Sequence, residues 1–160
     1  FTNKYYNTPA KFIAAEDFMT EIPPDTAAAN AALSGLKVGV QRATIHENFI
    51  KDNFPDVGLM SYATQDEANL DLANGRVDLV LADSVALDEG FLQTDMGQGF
   101  NFVGPDYSDP QWFGDGAGIA VRQEDTELKD ALNAALAQIL ADGTYKAIND
   151  KYFDFNVYGE

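Results

Sequence analysis

The chain has 160 residues, enough for one domain with a real core, or for one whole domain and part of a second. It carries 26 acidic against 10 basic residues, a net charge of −16, which repels phosphate backbones and anionic lipid and so argues against nucleic-acid and membrane-surface partners. There is no cysteine, which removes thiol catalysis, zinc–thiolate sites and disulfides together, and no apolar run approaches the length of a membrane-spanning helix. Phe1-Thr2-Asn3-Lys4-Tyr5-Tyr6 lacks the apolar stretch of a signal peptide, so the signal of an exported protein is expected to have been removed or to lie in a part not present here.

Taken in chain order, Lys11–Ala15 reads as a short strand, followed by a Pro- and Ala-rich stretch in which Pro23-Pro24 forbids a regular helix at that point. Leu36–Val40 reads as a buried strand. Thr44 followed three residues later by Glu47 fits a capping box, which predicts a helix with Ile45, Phe49 and Ile50 on one apolar face, ended by Asn53-Phe54-Pro55. Leu59–Tyr62 is the next strand, and Gln65–Leu72 the next helix, apolar at Ala68, Leu70 and Leu72 and stopped by Asn74-Gly75. Val77–Ala82 is the most strand-like segment. Asp83-Ser84 then caps a short helix through Phe91-Leu92, and Phe100–Val103 is a further strand. This alternation with short connections predicts an α/β fold with a mainly parallel sheet covered by helices on both faces.

The remainder differs. Gly114–Gly118 reads as flexible and Ile119–Val121 as extended. Thr126–Ala141 is a helix whose Leu128, Leu132, Ala135, Leu136, Ile139 and Leu140 form an apolar stripe; Gly143 stops it, and Thr144 can cap a last helix through Tyr152. The stripe needs cover, and the α/β part offers no element left over to supply it.

Most motifs that could carry chemistry fail on spacing. His46-Glu47 is no zinc-protease motif, because Ile50 stands where the second His belongs. Asp106, Asp109 and Asp115 lack the spacing and closing Glu of a calcium loop. Gly114-Asp115-Gly116-Ala117-Gly118 precedes a strand-like segment, not the helix a dinucleotide loop requires, and no Ser sits in a Gly-x-Ser-x-Gly elbow. No catalytic residue, metal site or cofactor is implied. Two sites survive. The helix start at Thr44-Ile45 offers unpaired N–H groups at the positive end of a helix dipole, which suits a carboxylate, or Thr44 is simply a cap. Asp83, at the carboxyl end of an apolar strand, suits an ammonium group, or it too is a cap. One anion site and one cation site on the same sheet edge suit a zwitterion such as an amino acid.

The order of motifs has a family likeness. Phe1–Pro9, Leu36-Lys37-Val38-Gly39-Val40-Gln41 leading to Thr44, Asn74-Gly75-Arg76-Val77-Asp78 leading to Asp83, Glu89-Gly90-Phe91-Leu92, and Asp142-Gly143-Thr144-Tyr145 through Lys151-Tyr152-Phe153 together resemble the periplasmic amino-acid-binding proteins of ABC transporters, nearest the lysine/arginine/ornithine/histidine and opine branch. The resemblance implies two α/β lobes joined by two crossing strands, closing on ligand like a hinge. It implies that residues 1–10 are the end of lobe one and the first crossing, 11–113 are lobe two, 114–120 are the return crossing, and 121–160 are the C-terminal helices of lobe one. It further implies that Asp83 binds the ligand ammonium, that the helix start at Thr44 and Ile45 binds its carboxylate, and that Gln41 and His46 make nearby contacts. The partners implied are an amino acid or opine and a permease in the inner membrane; the location implied is the periplasm. The orphan stripe suggests self-association of this chain. Two other functions fit the same fold. A dehydratase-like enzyme needs an acid or base in the cleft, with Asp83 and His46 as candidates, and a receptor's sensing domain needs a membrane helix or kinase segment.

Overall fold

The computed structural model describes residues 1–153 and 155–159, which form two compact units: residues 9–113, and residues 1–8 together with the described residues from 114 onward. The larger unit is built on a five-stranded sheet. In chain order it comprises β2 (Ala10–Ala15), α1 (Thr26–Ala32), β3 (Lys37–Gln41), α2 (Ile45–Asn53), β4 (Gly58–Tyr62), α3 (Gln65–Ala73), β5 (Leu79–Asp83), α4 (Ser84–Leu87), β6 (Phe100–Tyr107) and α5 (Pro110–Phe113). Helix α4 widens into a single π-helical turn, Asp88–Leu92.

The strands lie in the order β4-β3-β5-β2-β6. Pairs β3–β4 and β3–β5 are parallel, whereas β2 is antiparallel to both β5 and β6. The sheet is therefore α/β and mixed: four strands share one direction and β2 runs against them in the interior. The connections account for this. Each parallel neighbour is reached through a helix, α2 or α3, which returns the chain to the starting edge, whereas β2 enters with no such crossover before it.

Both faces of the sheet are covered, and this explains the uninterrupted apolar run at 79–82. On one face Phe12, Val38, Val40, Leu79 and Leu81 pack against Ala29, Leu33, Phe49, Ile50 and Phe54; on the other Ile13, Val80 and Ala82 pack against Ala68, Leu72, Leu87 and Phe91. Successive residues of β5 point to opposite faces, so a strand buried on both sides must be apolar throughout. Phe12, Phe49, Phe54 and Tyr107 meet edge-on or tilted with ring centroids 5.1–6.1 Å apart. Strand β6 is longer than Phe100–Val103. It continues through Gly104, whose φ of +74° and closeness to Ile22 exclude a side chain, and through Pro105, which an edge strand tolerates.

Several expectations need correction. The Ala-rich stretch is a helix, α1, capped by Asp25, whose Oδ1 accepts the Ala28 N–H at 2.9 Å; Pro23-Pro24 stop short of it. Short α5, started at a proline, is an element that the sequence pattern did not indicate. Ile45 is 48% exposed and Leu70 46%, so neither belongs to its helix's buried face; α2 buries Phe49 and Ile50, α3 buries Ala68, Asn69 and Leu72.

The smaller unit contains β1 (Lys4–Tyr6), β7 (Ala117–Gly118), α6 (Thr126–Ala141) and α7 (Thr144–Asn149). Strand β7 lies earlier than Ile119–Val121 and pairs antiparallel with β1. Thr144 does not cap α7: it is the first helical residue, preceded by Gly143 at φ +83°, and its N–H is held by Asp142 Oδ1 at 2.9 Å. Buried Asn149 anchors the segment after α7, donating to the Phe155 carbonyl at 2.8 Å and accepting the Val157 N–H at 2.9 Å. Helix α6 buries none of its residues; Leu128 is 51% exposed, and Leu132, Leu136, Ile139 and Leu140 are only half-buried.

The sheet core of the larger unit should be unforgiving. Phe12→Ala, at a fully buried ring, is expected to lower stability by about 3–5 kcal/mol in chemical denaturation followed by circular dichroism.

Candidate functional site

With both faces of the sheet closed, the place left for a ligand is the edge where the parallel strands end. Gln41 ends β3, Tyr62 ends β4 in register with it, and Asp83 ends β5 opposite Ala10 of β2. Helices α2, α3 and α4 all start from this edge, after β3, β4 and β5 respectively.

Thr44 is the N-cap of α2, with extended backbone at φ −113°, ψ 165°. Its hydroxyl is fully engaged: it accepts the Glu47 N–H at 3.3 Å and donates to the Gln41 carbonyl at 2.7 Å. Gln41 thus holds the loop through its backbone, and its half-buried side chain stands at the strand end. Glu47 is buried. One carboxylate oxygen accepts the Ala43 N–H at 2.7 Å, and the other accepts the Ser61 hydroxyl of β4 at 2.7 Å and lies 2.9 Å from the Lys51 ammonium. These donors, led by Ser61, hold the Glu47 carboxyl down at about 2, against 4.5 for an ordinary glutamate. Among the described residues the N–H groups of Thr44, Ile45 and His46 have no hydrogen-bond partner, so three consecutive donors stand at the positive end of α2.

His46 is half-buried, its ring 5.9 Å from that of Phe113 and tilted 39° to it. Burial pushes its imidazole pKa down, while the negative charge of Asp83 pulls the other way. Asp83 caps α4, its Oδ1 accepting the Val85 N–H at 2.9 Å and the Ala86 N–H at 3.1 Å. The five residues singled out from sequence, Gln41, Thr44, Ile45, His46 and Asp83, therefore gather at one end of one sheet. Ile45 contributes its backbone, its side chain being exposed. Glu47 and Ser61 were not singled out as site residues. Glu47 was visible only as half of a capping box, and nothing near Ser61 in sequence announces that it meets a residue on α2.

Backbone donors at the start of α2 and the Asp83 carboxylate at the end of β5 stand at the same sheet edge, an arrangement with a partner for each charge of a zwitterion. The model of the bacterial extracellular solute-binding proteins, family 3, matches residues 1–155. The chain belongs to this family. It is 47% identical to the L-arginine-binding protein of Pseudomonas aeruginosa, over 99% of this chain and 60% of that protein, and 40% identical to the histidine-binding periplasmic protein of Salmonella typhimurium, over the same shares. A solved arginine-specific periplasmic binding protein of Salmonella typhimurium superposes with a TM-score of 0.67 at 27% identity, over 96% of this chain and 64% of its own. The type II binding-protein fold expected from sequence is thus shown, and the chain spans about 60% of the length of these curated relatives. The relatives are binding proteins by name, and the histidine-binding one is periplasmic by name. No described helix is long and apolar enough to cross a membrane.

The Glu47 carboxylate sets an acid limit on the helix start. Its folded pKa lies below the unfolded one, so its contribution is fully present above pH 4.5 and is lost as pH falls toward 2. Wild type should exceed Glu47→Gln in stability at neutral pH, with the difference shrinking through that window, as followed by urea melts at a series of pH values.

Proposed function

We propose that the chain is the ligand-binding part of a solute receptor for an ABC importer, taking a basic amino acid or an opine in the periplasm for delivery to a membrane permease. In this reading the N–H groups of Ile45 and His46 hold the ligand α-carboxylate, Asp83 holds its α-ammonium, and Gln41 and Thr44 shape the seat. Residues 11–113 are lobe two, 121–160 belong to lobe one, and residues 7–10 and 114–120 are the crossings between the lobes. The observation that carries the reading is the run of unpartnered donors at the start of α2 on the sheet edge that also bears Asp83. Relatives named for arginine and histidine support a basic ligand. The enzyme alternative would need Asp83 and His46 as its acid–base pair, and relatives named as binding proteins favour the receptor reading.

Titration of ¹⁵N-labelled chain with L-arginine and L-histidine should move the Ile45 and His46 amide resonances, and Asp83→Asn should weaken the response by about tenfold or more, the loss of one charge-assisted hydrogen bond. Shifts confined to other residues, or conversion of the added amino acid to a new product, would contradict the reading.

A second proposal concerns α6. Its apolar residues are exposed or half-buried, and burying one such side chain is worth about 1.5–3 kcal/mol. The 160-residue chain should therefore self-associate at micromolar concentration in sedimentation, and Leu132→Glu together with Leu136→Glu should return it to monomer. A wild-type monomer with a protease-resistant α6 would refute this.

A further inference from the structure

The larger unit contains two helix starts made from the same sequence pattern, and they use their glutamate differently. Helix α3 follows β4 with Thr64-x-x-Glu67, and α2 follows β3 with Thr44-x-x-Glu47. At α3 the box closes on itself. Exposed Glu67 accepts the N–H groups of Ala63 at 2.9 Å and Thr64 at 3.3 Å, and Thr64 accepts that of Glu67 at 3.2 Å. At α2 the box stays open. Glu47 reaches back to Ala43 and sideways to Ser61 on β4 but makes no bond to the Thr44 N–H. It is the one buried acidic side chain among the described residues, at 8% exposure. The residue it grips, Ala43, has φ +58°, the one described non-glycine residue in the left-handed region. That conformation is unfavourable for a side chain bearing Cβ and persists only where its surroundings impose it.

We infer that Glu47 is a positioning residue for the carboxylate seat: held by the Ala43 N–H and by Ser61 of the neighbouring strand, it leaves the Thr44 N–H open beside those of Ile45 and His46, which are open as those of Gln65 and Asp66 are at α3, and it fixes the seat in place. This rests on the amino-acid-binding reading above. The contrast with α3 separates this role from capping alone. A cap is already supplied at α2 by Thr44, and the closed arrangement at α3 is solvent-exposed, whereas at α2 a carboxylate has been buried against a neighbouring strand. Burying a charge is unfavourable unless every lone pair finds a donor, and here Ala43, Ser61 and Lys51 supply them.

The test compares two probes by amide titration of the 160-residue chain: L-arginine, and L-argininamide, which keeps the ammonium and side chain but lacks the carboxylate. Wild type should prefer arginine by about tenfold, the worth of hydrogen bonds to a charged group. Glu47→Ala should collapse that preference toward unity while leaving argininamide binding unchanged. Glu47→Gln, which keeps an acceptor for Ala43, should restore most of it, and Ser61→Ala should fall between. These two milder variants carry the same readout if Glu47→Ala does not fold. Leu72→Ala, in the core of the opposite face, should lower the melting temperature without touching the preference. A folded Glu47→Ala or Ser61→Ala variant that keeps the full preference would overturn the inference alone. A wild-type chain that does not respond to arginine, or does not distinguish it from its amide, would overturn the carboxylate-seat reading first and the inference with it.

Discussion

A sheet covered on both faces has only its edges left to work with, and most of this structure's functional layout follows from that constraint. Each α/β step brings the chain to the carboxyl ends of the strands and starts a helix there, and the first N–H groups of a helix have no partner within it. The molecule must dispose of these donors one helix at a time. At α3 side chains take two of them, those of Thr64 and Glu67, at α4 Asp83 takes two, and at α2 three are left over. A polar edge site above an apolar sheet is thus the remainder of a hydrogen-bond count that every such fold must complete.

How Asp83 is used bears on the strength of the site. An aspartate already accepting two backbone N–H groups is held in one orientation before any ligand arrives, so the entropy of ordering a flexible carboxylate has been lost on folding and not on binding. The cap and the ligand contact are therefore compatible readings of the same side chain. The sequence left them as alternatives, and of the two the structure shows the cap.

Elements were legible where periodicity and punctuation agreed. Helix α6 stands at Thr126–Ala141 as its apolar spacing and Gly143 indicated, and α2 and β3 lie within a residue of their expected limits. What escaped was of two kinds. Helix α1 is nearly all alanine and short, so it carries no hydrophobic stripe, and only its Asp25 cap could have announced it. The pairing of β2 with β5 and β6, and the contact of Glu47 with Ser61 across 14 residues, depend on where the chain returns in space. Thr44 and Asp83 were singled out because helix starts and strand ends can be read from sequence, and Gln41 and His46 because the family likeness pointed to them; Glu47 was mistaken for a simple cap because its partner on β4 cannot be read that way.

The backbone at Ala43 has a bearing on which sequences this seat can tolerate. A side chain branched at Cβ is excluded from a left-handed position far more severely than a methyl group, while glycine, asparagine and aspartate enter it readily. A library randomised at this single position and sorted for folded, ligand-competent protein would therefore return a narrow alphabet, set by a dihedral angle and not by any contact with ligand. Valine, isoleucine and threonine would drop out first, although the Ala43 side chain is exposed to water and a surface position of that kind ordinarily accepts almost anything.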